Sequence, residues 1–480
     1  MPPARYPRAR ARARARRRLR LALAGVALAV IVAIVLVVAL GGSGLSGAPP
    51  AANAPETGSG GLFHYDPAAS SEYIARATAG NGQVLFSKSP GGAIATARRV
   101  AAFRPMIDRA VAGTNIPATA LEGLVFVESA GLPDAAVVDD PANAAGLTQI
   151  LPSTATSLLH MHVDVAASRQ LLAEIAQTHD AAKLRSLQRR LEAADERFDP
   201  AAALSGAVRL LQESEGMFGG RLDLAVTAYH MGIGNMQQVL SDYDAGKPVP
   251  YVQLYFDTAP DHDGSAYKLL SSLGDDSSLY WWRVLGAEQI MHLYRTDRAA
   301  LTRLQSLETA DAAGGSVLHP PGRAPRYASP SALQAAFKSR RLVRLPRNAA
   351  ALGLAYDPSI GSQAGHVGAP RSLYEGLNPV AIKLLIRMAA AVRTLSGGQT
   401  PLQVAAAATD GKYLSAQGVY DPMAQTGFSF QIARRYRSGA QAEAFQAVLD
   451  RLQSLNLIAW APIGSVIEIT AASDAGSWRG

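Results

Sequence analysis

The first pattern along the chain is an unbroken one: Leu21 to Leu40 holds only Leu, Ala, Gly, Val and Ile. A helix of that length extends about 30 Å, the thickness of a bilayer core, and predicts a transmembrane helix over 21–40. A cleaved signal peptide would carry an apolar region of only about 7 to 15 residues, so an uncleaved anchor is expected. Residues 41–75, rich in Gly, Ser, Ala and Pro, have no hydrophobic period and read as a flexible linker. A helical period follows. Ile94 to Gly113 is helical with a break at Pro105, and Pro117 suits the first turn of a further helix. Leu121, Leu124, Val125 and Val127 give that helix one broad apolar face, which ends at Glu128 before Ser129-Ala130-Gly131. Glu122 lies six positions earlier, a turn of about 240°, and is expected to be a solvated surface residue.

Beyond residue 160, Leu184, Leu187 and Leu191 recur at helical spacing among charged residues, which predicts a helical insertion over about 161–198, ending at Asp199-Pro200. It can be a piece packed on the domain or a partner-binding arm. Helices at about 201–217 and 222–231 follow, and Leu279 to Leu285 begins another. Its Trp282, Leu285 and Ile290 suit a core. Tyr280 suits either a core or a stacking platform. Residues 311–375 form a loop-rich connector. From 376 to 480 the pattern is that of an α+β domain, with strands at 402–408, 427–432 and 466–470 and a helix over Ala440 to Leu457.

Charge places these segments. The first twenty residues hold nine Arg and no acid, so the formal charge of +8 less those nine leaves −1 for the rest. Arg-rich residues 1–20 are expected to stay cytoplasmic, which puts the later domains outside the cell membrane. The near-neutral remainder gives nucleic-acid binding no support. With no Cys, disulfides and thiol catalysis are excluded. His160 and His162 would share a face only on a strand, and no third ligand of suitable spacing follows, so no metal is expected there.

A lone carboxylic acid beside an apolar wall is what glycosidic cleavage requires, because burial keeps it protonated near neutral pH. Glu128-Ser129 is followed by Gly146-Leu147-Thr148-Gln149 with Pro152-Ser153-Thr154-Ala155, and then by Ala228-Tyr229-His230-Met231-Gly232-Ile233-Gly234. In this order the three blocks resemble the lytic transglycosylases of the soluble (SLT) type, over roughly residues 95 to 300. The resemblance implies a mainly α, lysozyme-like catalytic domain, placed here at 76–310, acting on peptidoglycan glycan strands without a cofactor. Thr148 stands where the family has Met, and His230 where it has Asn, which bears on subsite preference.

By that resemblance Glu128 serves as acid and then base, the substrate's N-acetyl group stabilises the cationic centre, and the muramic 6-hydroxyl closes on C1 to give a 1,6-anhydro end. Ser129, Thr148, Gln149, Tyr229, His230 and Tyr280 are the implied substrate contacts. Gln149 and Tyr229 can also be scaffold. Two other readings compete. A hydrolytic muramidase would use Asp139 or Asp140 to hold a water, and a non-catalytic scaffold would only bind the wall.

The C-terminal segment resembles the D-Ala-D-Ala carboxypeptidase and hedgehog-type zinc peptidase fold. Aligned on Gly427, the ligand positions hold Ala424, Gln431 and Glu468, and no His follows His366. A zinc site of two His and one Asp cannot be built from these residues. The resemblance leaves possible stem-peptide binding as its expected role.

Overall fold

The structure is a computed structural model that describes residues 65–136, 140–274, 276–309, 317–318 and 324–476. The Arg-rich segment, the expected membrane helix and most of the linker lie outside the described residues. Among those that are described, no helix is long and apolar enough to cross a membrane.

The centre of the helical part is α4 (Ala118–Ser129), in which Ala120 through Phe126 are all buried. A helix buried on all sides needs neighbours on all sides. They are α1 (Ser70–Ser87), α2 (Ala93–Ala102) and α3 (Arg104–Ala110) from the preceding chain, then α7 (Pro200–Met217), α8 (Leu222–Met231) and α12 (Tyr280–Thr296). Leu121, Leu124 and Val125 share one core with Ala97, Val100, Leu204, Leu211, Val284 and Ile290 from these helices. The break expected at Pro105 falls at Phe103, between α2 and α3, with the proline in the first turn of α3.

Enclosure also corrects the reading of Glu122. It is 1 % exposed, not solvated, and Arg295 of α12 reaches both its carboxylate oxygens at 2.8 and 2.6 Å, with Arg104 of α3 at 3.4 Å. The face opposite the apolar stripe is covered too, so a charge there persists only with its counter-charges.

The insertion consists of α5 (Val165–Gln177) and α6 (Ala181–Ala194). Leu187 and Leu191 of α6 close a small core with Leu171, Ala145 and Phe198, so the pair packs on the loop that carries Gln149. Asp199 does not so much stop α6 as start α7: its side chain accepts from Ala201 N and Ala202 N, and Pro200 occupies the first helical turn. The chain then continues through α9 (Ile233–Asp244), α10 (Tyr251–Asp257) and α11 (Gly264–Ser272) to α12, and on to α13 (Arg298–Glu308).

The remainder is α+β. A short antiparallel pair, β1 (Val343–Arg344) with β3 (Gly376–Leu377), flanks a sheet that also takes in β2 (Leu354–Tyr356) from the expected connector. The sheet order is β2, β4 (Leu402–Ala406), β5 (Ser429–Ala433), β7 (Val466–Ala471) and β6 (Ile458–Ile463). Only the β2–β4 pair is parallel. Helices α14 (Pro330–Lys338), α15 (Pro379–Ser396), α16 (Gly411–Ala416) and α17 (Gly439–Ser454) accompany it.

Buried side chains of α15, α17 and the sheet belong to one apolar core with Tyr73, Phe256 and Trp282 of the helical part. The seam is close. A Cβ on Gly80 of α1 would lie 2.2 Å from the Gln453 carbonyl oxygen of α17, so only glycine permits this approach. The Arg451 guanidinium of α17 donates to the carbonyls of Tyr255 and Thr258 and lies 4.4 Å from the Tyr255 ring centroid. Such charge-assisted bonds to buried carbonyls fix the seam in one register.

Candidate active site

Glu128 sits in the last turn of α4, where Ala130 turns left-handed at φ 54° and ends the helix. The Arg99 side chain of α2 donates to the Ala130 carbonyl at 2.8 Å and fixes that end. Glu128 is thus held at the edge of the core, half-buried as a residue. Burial pushes it up to about 7, against an opposing hydrogen bond from Tyr280. The Tyr280 hydroxyl, at the first residue of α12, donates to Glu128 Oε1 at 2.5 Å. The Tyr280 ring is buried in the core, as one of its two expected roles has it, and its hydroxyl on the acid is a role that the sequence did not suggest.

The Gly146–Ile150 loop faces this helix end. Ser129 Oγ donates to the Leu147 carbonyl at 2.7 Å and ties the loop to α4. Thr148 is fully buried, and its hydroxyl donates to the Ala203 carbonyl at 3.3 Å. Gln149, left-handed at φ 51°, turns its amide inward to the carbonyls of Gly146 (2.8 Å) and Ala135 (3.1 Å). These three polar side chains spend the bonds described here on the protein's own backbone, and so shape the loop beside the acid.

Tyr229 of α8 bridges the second and third blocks, its hydroxyl donating to the Thr148 carbonyl at 2.7 Å. Burial, with the Glu128 charge second, holds that phenol well above its usual range. Tyr280 is raised as well, again first by burial and then by Glu128, so both phenols are donors across the working pH range. Next to Tyr229, His230 is exposed and stacks on the Tyr280 ring, with centroids 4.9 Å apart and planes 22° apart. Its Nδ1 lies 2.8 Å from Ser277 Oγ. The imidazole therefore presents a polar edge to solvent directly over the phenol that touches the acid.

Asp140, one candidate for holding a water, is committed elsewhere. It caps Ala142 N at 3.0 Å and pairs with Arg169 at 2.9 Å, and these contacts hold its carboxyl below the usual range. Asp139 lies outside the described residues.

Sequence reasoning missed one group that shapes the site. Arg197 and Asp195 are both 0 % exposed and pair at 2.6 Å. The guanidinium also donates to the carbonyls of Asn143, Ile150 and Pro141, at 2.9, 3.2 and 2.7 Å, and so clamps both ends of the Gln149 loop. Gly146 is where this clamp needs glycine: at φ 79°, a Cβ would lie 1.7 Å from the Arg197 carbonyl oxygen. The block's glycine was visible in the sequence, but its partner 51 positions later was not.

Residues 166–249 match the family model of the Transglycosylase SLT domain. The matched stretch takes in Tyr229 and His230, while Glu128 and the Gln149 loop precede it. No curated protein and no solved structure matches the chain.

Proposed function

Taking the chain as a peptidoglycan lytic transglycosylase of the SLT type, we propose that it cleaves the β-1,4 bond between MurNAc and GlcNAc and leaves 1,6-anhydro-MurNAc ends. The observation that carries this reading is a single carboxyl, Glu128, held near 7 with one phenol donating to it. A group titrating there is present in both forms at neutral pH, as one residue serving as acid and then base requires.

Glu128 first gives its proton to the glycosidic oxygen as the bond from that oxygen to C1 breaks. The substrate's own N-acetyl oxygen supports the cationic centre. The Glu128 carboxylate, still receiving the Tyr280 hydrogen bond, then takes the proton of the 6-hydroxyl as its oxygen bonds to C1. No water is consumed, and the acid is regenerated. His230 contacts a hydroxyl or the N-acetyl group of the glycan, where the family has Asn. Residues 21–40 anchor the enzyme in the cell membrane with its N-terminus cytoplasmic, and the C-terminal part contacts the peptide stems of the same polymer.

Mass spectrometry of wall digested by the chain tests the reaction. Anhydro ends, one water lighter than hydrolysed ends, are expected from the first turnover. Reducing ends as the first products would replace the transglycosylase with a muramidase.

A further inference from the structure

The sheet of the C-terminal part borders a cavity of about 460 Å³, lined along β5 by Ser429, Phe430 and Gln431 and beside it by Ala406 and Val466. Gln431 and Glu468 are directly paired across β5 and β7, and Ser429 Oγ lies 3.3 Å from Glu468 Oε1. Asp421, anchored by the backbone N–H groups of Met423 and Ala424 at 2.9 Å each, comes within hydrogen-bonding reach of Glu468. Burial and then the Asp421 charge push Glu468 up to about 7. Two adjoining carboxyls attract a cation, which offsets the repulsion between them.

Two further observations point to a ligand. Thr409 lines the same cavity, is 8 % exposed, and its Oγ1 has no hydrogen-bond partner. An unpaired buried hydroxyl is unfavourable unless a ligand completes its bond. Secondly, large apolar side chains gather at the mouth: Val419 and Ile463 line it at 48 % and 50 % exposure, and Tyr420 between Val419 and Asp421 is 84 % exposed. An apolar rim over an anionic floor fits a methylene stem ending in a positive charge. A hard metal ion fits less well, because it takes six or more oxygen ligands, and no cluster of three ligating side chains exists among the described residues.

We propose that this cavity binds the side-chain ammonium group of a diamino acid in a short peptide. Asp421 and Glu468 take the ammonium, Thr409 Oγ1 accepts one of its N–H bonds, and Val419, Tyr420 and Ile463 cover the stem. The site stands on its own geometry; only the source of the peptide, the wall's stems, rests on the function proposed above.

Calorimetry on the full chain with Nα-acetyl-lysyl-alanine amide tests the site. Saturable binding is expected, abolished when the lysine Nε is acetylated and weakened at least tenfold by Glu468→Gln. Thr409→Val should weaken it less. The acetylated ligand supplies a control that does not depend on how a variant folds. Equal binding of the acetylated probe, unchanged affinity in Glu468→Gln, or no binding at millimolar probe would overturn the proposal. If the probe binds but soluble wall peptides do not compete, the ammonium site stands and its assignment to stem peptides falls.

Discussion

Glu128 and Glu468 are both carboxyls pushed up to about 7, yet they are built for different work. Glu128 has no carboxylate among the causes of its shift, and its hydrogen-bond partner is a phenol that donates to it. Glu468 is raised by burial and by a second acid, Asp421. A lone buried acid holds a proton that it can deliver to a substrate oxygen. An acid beside a second acid holds a proton that a cation can displace. A shifted pKa thus locates an unusual carboxyl, and its neighbours say what the carboxyl is for.

The comparison breaks most readily at Glu128. Glu128→Gln keeps the shape and removes the transferable proton, so lysis should fall by about 10² to 10⁴. Glu468→Gln, which is away from the reacting atoms, should cost lysis far less. Equal lytic rates for Glu128→Gln and the parent would end the assignment of the acid.

Tyr280→Phe sharpens the contrast, because it deletes the donor and leaves the acid. A hydrogen bond to a charged group contributes about 1.5–3 kcal/mol, so kcat should drop roughly 10- to 100-fold. The basic limb of the pH profile should move upward, since the bond favours the ionised form of Glu128. A drop in kcat with an unmoved limb would make Tyr280 a packing residue.

The parent's activity should decline as pH rises above about 7, with the loss of the Glu128 proton. Stability follows the same sign. Both carboxyls bind protons more tightly folded than unfolded, so their contribution is full below about 4.5 and is lost as pH rises through about 7. Glu128→Gln and Glu468→Gln should each raise Tm by a few degrees at pH 8 and by less at pH 5, relative to the parent. Calorimetric scans at the two pH values would read this, and a larger gain at pH 5 would contradict the burial argument.

How much of this was legible depended on how local the determinant was. The end of α4 at Ser129-Ala130-Gly131, the Pro105 break and the α7–α8 pair follow from residues a few positions apart, and all three are present. Strands β4, β5 and β7 showed as short apolar runs. β6 did not, since Ile458–Ile463 contains Pro462 and exposes much of its length as an edge strand. Glu122 was misjudged because helical period describes one element, whereas its arginines come from two others. The Arg197 clamp was hidden for the same reason. The three ordered blocks carried the acid and its loop, but no spacing could say that Ser129, Thr148 and Gln149 bond inward.

The seam between α1 and α17 also sets a clock. Arg76 of α1 pairs with Asp474, 398 positions further along the chain. At about 5–20 residues per second, the ribosome needs roughly 20 to 80 seconds between making the two. For most of that interval, until residues 439–454 are made, the Gly80 flank of α1, the neighbour of the helix that bears Tyr280, has no α17 to cover it. A chain interrupted before α17 leaves that flank bare to proteases, which a finished chain closes off.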